Sequence, residues 1–147
     1  MEEALTLACR AGELGEVPVG AVVVCRDEVV GRGYNRRETD HDPLAHAEII
    51  AIRDAAQRLG RWRLTGCVLY VTLEPCPMCA GAIVNSRLDR LVFGAYDPRA
   101  GAACTVMNLV SHPRLNHRAQ VTQGVGAEAS AALLRRFFAN RRHLEPK

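Results

Sequence analysis

Apolar residues recur at Ala4, Leu7, Ala8, Ala11 and Leu14, the spacing of one helix face, so the chain is expected to open with an amphipathic helix that "EVPVG" ends. The pattern then changes. "GAVVVCR" and "VVGRGYN" are rich in β-branched residues and flank Asp27 and Glu28, which predicts a hairpin. After the polar loop "RRETDH", Asp42 as N-cap and Pro43 at the first helical position predict a second helix, with Ile49, Ile52, Ala56 and Leu59 on its apolar face and Gly60 as its stop. "CVLYVTL" is almost continuously apolar and of strand length, which suits a strand covered on both faces. A helix is expected from Cys76 to Ser86, a strand at "RLVFGAY", a long loop from Asp97 to Arg118, a short strand at "AQVTQGV" and a last helix from Ala127 to Arg142. Strands alternating with helices give an α/β layered domain.

A chain of 147 residues with 48% hydrophobic residues has enough apolar material for one buried core, so residues 1–147 are expected to form a single domain. "MEEALTLACRAGEL" carries two acids at its start, and no run of eighteen apolar residues follows, so a soluble cytoplasmic protein without membrane attachment is expected. Of the six cysteines, Cys9, Cys25, Cys67 and Cys104 are scattered through apolar surroundings and read as small buried hydrophobes. Only Cys76 and Cys79 are paired in sequence. The net charge of +3 is compatible with a nucleic-acid partner without requiring one. Its distribution says more: between Arg135 and Lys147, five Lys or Arg stand against the single acid Glu145.

"LEPCPMCAGAI" places the cysteine pair between a strand and a helix, where three uses are open: a redox couple, a structural zinc site, or a catalytic zinc site. A structural site normally takes four protein ligands, often from a second Cys-x-x-Cys, and the sequence has none. A redox couple suits the strand-to-helix position. It leaves "HAEII" unused, in which His46 and Glu48 stand near another helix start. Helix starts on one face of an open α/β sheet can meet at the edge where ligands bind. One His and two Cys would then hold zinc with its fourth position open, and the positive helix ends would favour an anion there. Residues two apart on a helix point about 200° apart, so Glu48 is placed beside the ion, where it can carry protons, rather than on it. His-x-Glu followed by Pro-Cys-x-x-Cys is the zinc deaminase signature.

At these residues the chain resembles the bacterial tRNA-specific adenosine deaminases, within the zinc-dependent cytidine and deoxycytidylate deaminase superfamily. The resemblance runs through "EVPVGAVVV", "GYNRRETDHDPLAHAEIIAIRDAA", "LYVTLEPCPMCAGAIVNSRLDRLVFGAYDPRAGA", "NLVSHPRLNH" and "LLRRFFANRR", which together cover nearly the whole chain. It implies a three-layer α/β/α cytidine-deaminase-like fold with a central mixed sheet of about five strands. It implies hydrolytic deamination of adenosine to inosine at the wobble position of a tRNA anticodon, with one Zn2+ per subunit on His46, Cys76 and Cys79, hydroxide on the zinc attacking C6, and Glu48 shuttling protons. By the same resemblance Asn35, the Ala47 N–H and Asp97 bind substrate, and Leu73 and Glu74, at the end of the strand before the cysteine pair, are expected to wall the substrate pocket. Asn116, His117, Phe138, Arg141 and Arg142 contact RNA, the partner is the tRNA anticodon loop, and the protein is a homodimer. Ordinary roles stand beside these: Asn35 and Asp97 as turn formers, Arg141 and Arg142 as a solvated basic helix end. The chain departs from the family pattern at Cys104, Asn108, Ser111 and Ser130, none of them in the implied metal set. A related zinc deaminase acting on a free nucleobase or nucleoside is an alternative, and a non-catalytic zinc or redox module is another.

Overall fold

In the computed structural model, which describes residues 1–144, small residues decide how closely the layers approach. Helix α1 (Glu2–Glu13) buries Ala4, Ala8 and Ala11 against strand β1 (Gly20–Cys25). A Cβ on Gly20 would lie 2.1 Å from the Ala4 carbonyl, so helix and strand meet backbone to backbone. Strand β2 (Glu28–Tyr34) pairs antiparallel with β1 through a turn at Arg26 and Asp27, both at positive φ (52° and 64°), as right-twisted hairpins favour. The turn therefore sits one residue earlier than the pattern predicts, and Glu28 pairs with Cys25 inside the ladder.

Helix α2 (Ala47–Leu59) lies on β2 with the same intimacy: a Cβ on Gly31 or Gly33 would come within 2.3 Å of the Ala51 or Ala47 carbonyl. Gly60 ends the helix in the left-handed conformation (φ 67°), as expected. Strand β3 (Cys67–Leu73) occupies the expected residues, followed by α3 (Pro77–Asn85), β4 (Arg90–Ala95), β5 (Gln120–Thr122) and α4 (Ala127–Leu144). The five strands form one mixed sheet in the order β2-β1-β3-β4-β5, antiparallel around β1 and parallel from β3 to β5. α2 and α3 cover one face, where Leu69, Val71, Ile83, Leu91 and Phe93 are fully buried, and α1 and α4 cover the other. Truncating one of these side chains to alanine costs about 2–5 kcal/mol.

Three expectations are corrected. Asp42 and Pro43 do not start a helix: the Asp42 carboxylate accepts the Leu44 N–H (2.9 Å) and the Ala45 carbonyl accepts the Arg36 N–H (3.0 Å), which holds the segment as a loop until His46 caps α2. Cys9 and Cys104 are exposed, whereas Cys25 and Cys67 are buried. The last helix runs on to Leu144; Glu145 and Lys147 of the basic tail lie outside the described residues. Among those residues no helix is long and apolar enough to cross a membrane.

Candidate active site

Two helix starts meet at the C-terminal end of β3. His46 and Cys76 are the N-cap residues of α2 and α3, both with extended backbone (ψ 151° and 173°), and neither side chain caps its own helix. They turn instead toward each other. Cys76 Sγ and Cys79 Sγ each lie 3.5 Å from His46 Nδ1, and the three donor atoms all fall within 4.8 Å of one another. Pro77 at the first position of α3 gives up an N–H the helix start cannot use, which fixes the exit of Cys76.

The donors share protons unequally. A hydrogen bond from the Cys79 thiol, opposed by burial and aided by His46, draws Cys76 down to about 4. Cys79 is pushed up, first by that neighbouring sulfur and then by burial. His46 is raised, chiefly by its bond with Cys76. These three groups fit a zinc ion: tetrahedral bonds of roughly 2.0–2.3 Å to nitrogen and sulfur put adjacent N and S atoms about 3.6 Å apart, close to the spacing seen here. Two sulfurs and one imidazole are the donors zinc prefers, and three protein ligands leave a coordination position open.

Glu48, in the first turn of α2, is only 4% exposed. Burial raises its carboxyl above the usual range, partly offset by its own N–H and by Cys79. It opens onto a cavity of about 220 Å³ that Asn35, Ala47, Leu73 and Asp97 also line. This is below the roughly 300–1,000 Å³ of drug-sized ligand sites and suits a single base. Asn35 accepts the Arg37 N–H (3.1 Å) and donates to the Val17 carbonyl (3.2 Å), which aims its side chain and still leaves a second amide hydrogen. Asp97 Oδ1 accepts the N–H groups of Arg99 (2.9 Å) and Ala100 (3.3 Å).

The cavity continues through Val17, Leu73 and Asp97 into a groove of about 820 Å³ bounded by α4, with Phe138, Arg141 and Arg142 on its wall. Phe138 is 47% exposed there. Phe137, next to it, is half-buried and stacks edge-on against Phe138. Asn116 and His117 are not brought to this cavity. Nε2 of His117 lies 2.7 Å from the Leu88 carbonyl, at the other end of β4, and Asn116 is exposed beside it.

Sequence reasoning does not reach Arg37 or Glu16 at all, and it reaches Glu74 only as pocket wall, without the loop it holds. Arg37 lines the cavity although "RRETDH" reads as a polar loop. Glu16, 1% exposed, accepts the N–H groups of Glu38 and Thr39 and the Thr39 hydroxyl, and so anchors the loop that leads to His46. Glu74, 2% exposed, gathers the loop after β4 in the same way. An acid without a nearby cation in sequence is the only signal, and it is a weak one.

An α/β/α sandwich with an open His-Cys-Cys donor set and an adjacent buried Glu defines a zinc-dependent deaminase domain. Residues 1–95 match the cytidine and deoxycytidylate deaminase zinc-binding region. The chain is 51% identical over 138 residues to the tRNA-specific adenosine deaminase of Bacillus subtilis, covering 94% of this chain and 86% of that one. A structure solved in studies of A-to-I editing by tRNA:A34 deaminases superposes with a TM-score of 0.88 at 47% identity, covering 91% of this chain and 97% of that one. Guanine deaminase from Nitrosomonas europaea is more distant, with a TM-score of 0.78 at 28% identity over 94% of this chain and 82% of its own. The chain belongs to the tRNA-specific adenosine deaminase family of the cytidine and deoxycytidylate deaminases.

Proposed function

We propose that this protein deaminates adenosine to inosine at the wobble position of a tRNA anticodon, as a cytoplasmic homodimer with one zinc per subunit. The observation that carries the reading is the meeting of His46, Cys76, Cys79 and Glu48 at a base-sized cavity that opens into a basic, aromatic groove. Zinc held by His46, Cys76 and Cys79 would lower the pKa of a water toward neutrality.

The chain's own residues account for the rest. Glu48 takes the first proton of the attacking water and gives it to N1 of the adenine as C6 becomes tetrahedral, then takes the second from the new C6 hydroxyl and hands it to the departing amine, so that ammonia leaves and C6 becomes a carbonyl. Its burial suits a group that must hold a proton between two transfers. The Ala47 N–H is one of the donors a helix start leaves without an intrahelical partner, and Ala47 lines the cavity, which supports its role in holding the attacked centre. The free amide hydrogen of Asn35 reads the purine, Leu73 packs on the ring, and the Asp97 oxygen not used by its own turn takes a sugar hydroxyl. Phe138 stacks on a neighbouring base while Arg141 and Arg142 follow phosphates, the usual combination for single-stranded RNA. Asn116 and His117 contact RNA outside this cavity.

The test is incubation with an anticodon stem-loop whose anticodon begins with adenosine, followed by inosine detection, with free guanine, cytosine and adenosine as parallel substrates. Inosine in the stem-loop is the expected result. Ammonia from a free base with an untouched stem-loop would overturn the RNA reading in favour of a free-base deaminase.

A further inference from the structure

Glu74 stands two residues before Cys76, and its own N–H is held by the Ala95 carbonyl at 2.8 Å, so its backbone is fixed by β4. Its carboxylate is inside the protein, yet every donor that meets it comes from one loop. Oε1 accepts the Asp97 N–H (3.2 Å) and the Thr105 hydroxyl; Oε2 accepts the N–H groups of Ala103 (3.2 Å), Cys104 (2.9 Å) and Thr105 (2.9 Å). A carboxylate offers about four lone-pair directions, so these five donors saturate it. No Lys or Arg pairs with it among the described residues. Its negative charge is therefore satisfied only while the loop is wrapped around it. The wrap is close: a Cβ on Gly101 would lie 2.4 Å from the carboxylate carbon. A second tie, from the Ala102 N–H to the Pro75 carbonyl (2.8 Å), fastens the same loop beside Cys76.

We propose that Glu74 is a positioning residue for the reaction, holding the Asp97–Thr105 loop so that Asp97 and Ala100 form the sugar-side wall of the cavity at a fixed distance from the metal ligands. This rests on the proposed reading of Asp97 as a substrate contact. A neutral amide cannot serve the same donors, since its NH2 would face N–H groups. A lysine or arginine partner would hold the carboxylate without holding the loop. The five loop donors make substrate placement, rather than metal binding, the property that Glu74 controls.

The experiment compares Glu74→Gln, Asp97→Ala, the double variant and Gly101→Ala in the zinc-loaded protein, using kcat and KM on the anticodon stem-loop, zinc content, and hydrogen exchange at the amides of residues 97 and 103–105. Glu74→Gln is expected to keep its zinc, release those amides to exchange, and raise KM about tenfold or more, with kcat changed far less, as loss of a charge-assisted hydrogen-bond set implies. In the Asp97→Ala background it should add less than about twofold, because contacts acting as one unit are not additive. Gly101→Ala, which crowds the carboxylate from the loop side, should reproduce the KM effect if Glu74→Gln does not fold. Released amides with unchanged KM would overturn the proposal, as would loss of zinc and kcat at constant KM. A raised KM in Glu74→Gln with an unaffected Asp97→Ala would remove Asp97 from the substrate contacts and leave the loop-positioning role of Glu74 supported.

Discussion

Glu48 and Glu74 are both buried carboxylates on the same small cavity, and their surroundings push them in opposite directions. Glu48 stands at a helix start where burial outweighs its few hydrogen bonds, so its proton affinity rises. For Glu74 burial acts upward too, but the Thr105 hydroxyl and the N–H groups of Thr105, Cys104 and Asp97 together outweigh it and hold the carboxyl below the usual range. The number of donors, rather than burial, separates a group fit to exchange protons from a group fit to hold a chain in place.

The hardest test of this contrast is Glu48→Gln. Turnover should fall by about 10²–10⁴-fold, the usual contribution of a general acid–base, with zinc content and KM nearly unchanged. Metal analysis and steady-state kinetics check it, and near-normal kcat would take Glu48 out of proton transfer. A next step moves the platform of Glu48 without touching that of Glu74. Gly33→Ala drives a Cβ to 2.3 Å from the Ala47 carbonyl and should cost roughly 1–3 kcal/mol of stability, read by denaturant unfolding. Hydrogen exchange at residues 103–105 should stay as in the parent; if those amides loosen equally, the two sides of the cavity are not separate.

Stability against pH sharpens the contrast in sign. A carboxyl raised on folding contributes stability below its unfolded value near 4.5 and loses it as pH rises through the folded value, so Glu48 weakens the metal-free protein at neutral pH. A carboxyl lowered on folding contributes above that value and loses it as pH falls through the folded value, so Glu74 strengthens the protein at neutral pH. In metal-free protein at pH 7, Glu48→Gln should raise Tm and Glu74→Gln should lower it; the Glu48 difference should shrink as the pH falls through its raised folded value to 4.5, and the Glu74 difference as the pH falls from 4.5 through its lowered folded value. Shifts of the same sign at pH 7 would break the comparison. The smallest effect is that of Thr105→Val, which removes one donor from Glu74 and should cost about 1 kcal/mol.

Much of the fold is legible in local sequence because its signals are local. "CVLYVTL" matches β3 residue for residue, Pro77 opens α3, and Gly60 closes α2. The start of α2 is not, because the cap signal of Asp42 is spent on Leu44 while Arg36 and Ala45 pair across the loop. The metal donors can be read from His-x-Glu and Pro-Cys-x-x-Cys, but their spacing of 3.5 Å depends on a sheet that brings together residues 30 and 33 positions apart. The loops that Glu16 and Glu74 hold leave almost no local trace, since the donors lie 22 to 31 residues along the chain and are almost all backbone. A backbone N–H carries no residue code, so nothing in composition announces these partners.

That last property bears on redesign. The loops after β2 and after β4 are each fastened to a carboxylate mainly through main-chain amides, so their side chains facing the cavity can be exchanged while the fastening stays. A library that varies Arg37 and Ala100 but preserves Glu16, Glu74 and Gly101 would sample new substrate-facing surfaces on an unaltered frame. The two acids thus act as sockets, and the loops as interchangeable fittings whose outer chemistry is free to drift toward other bases or sugars.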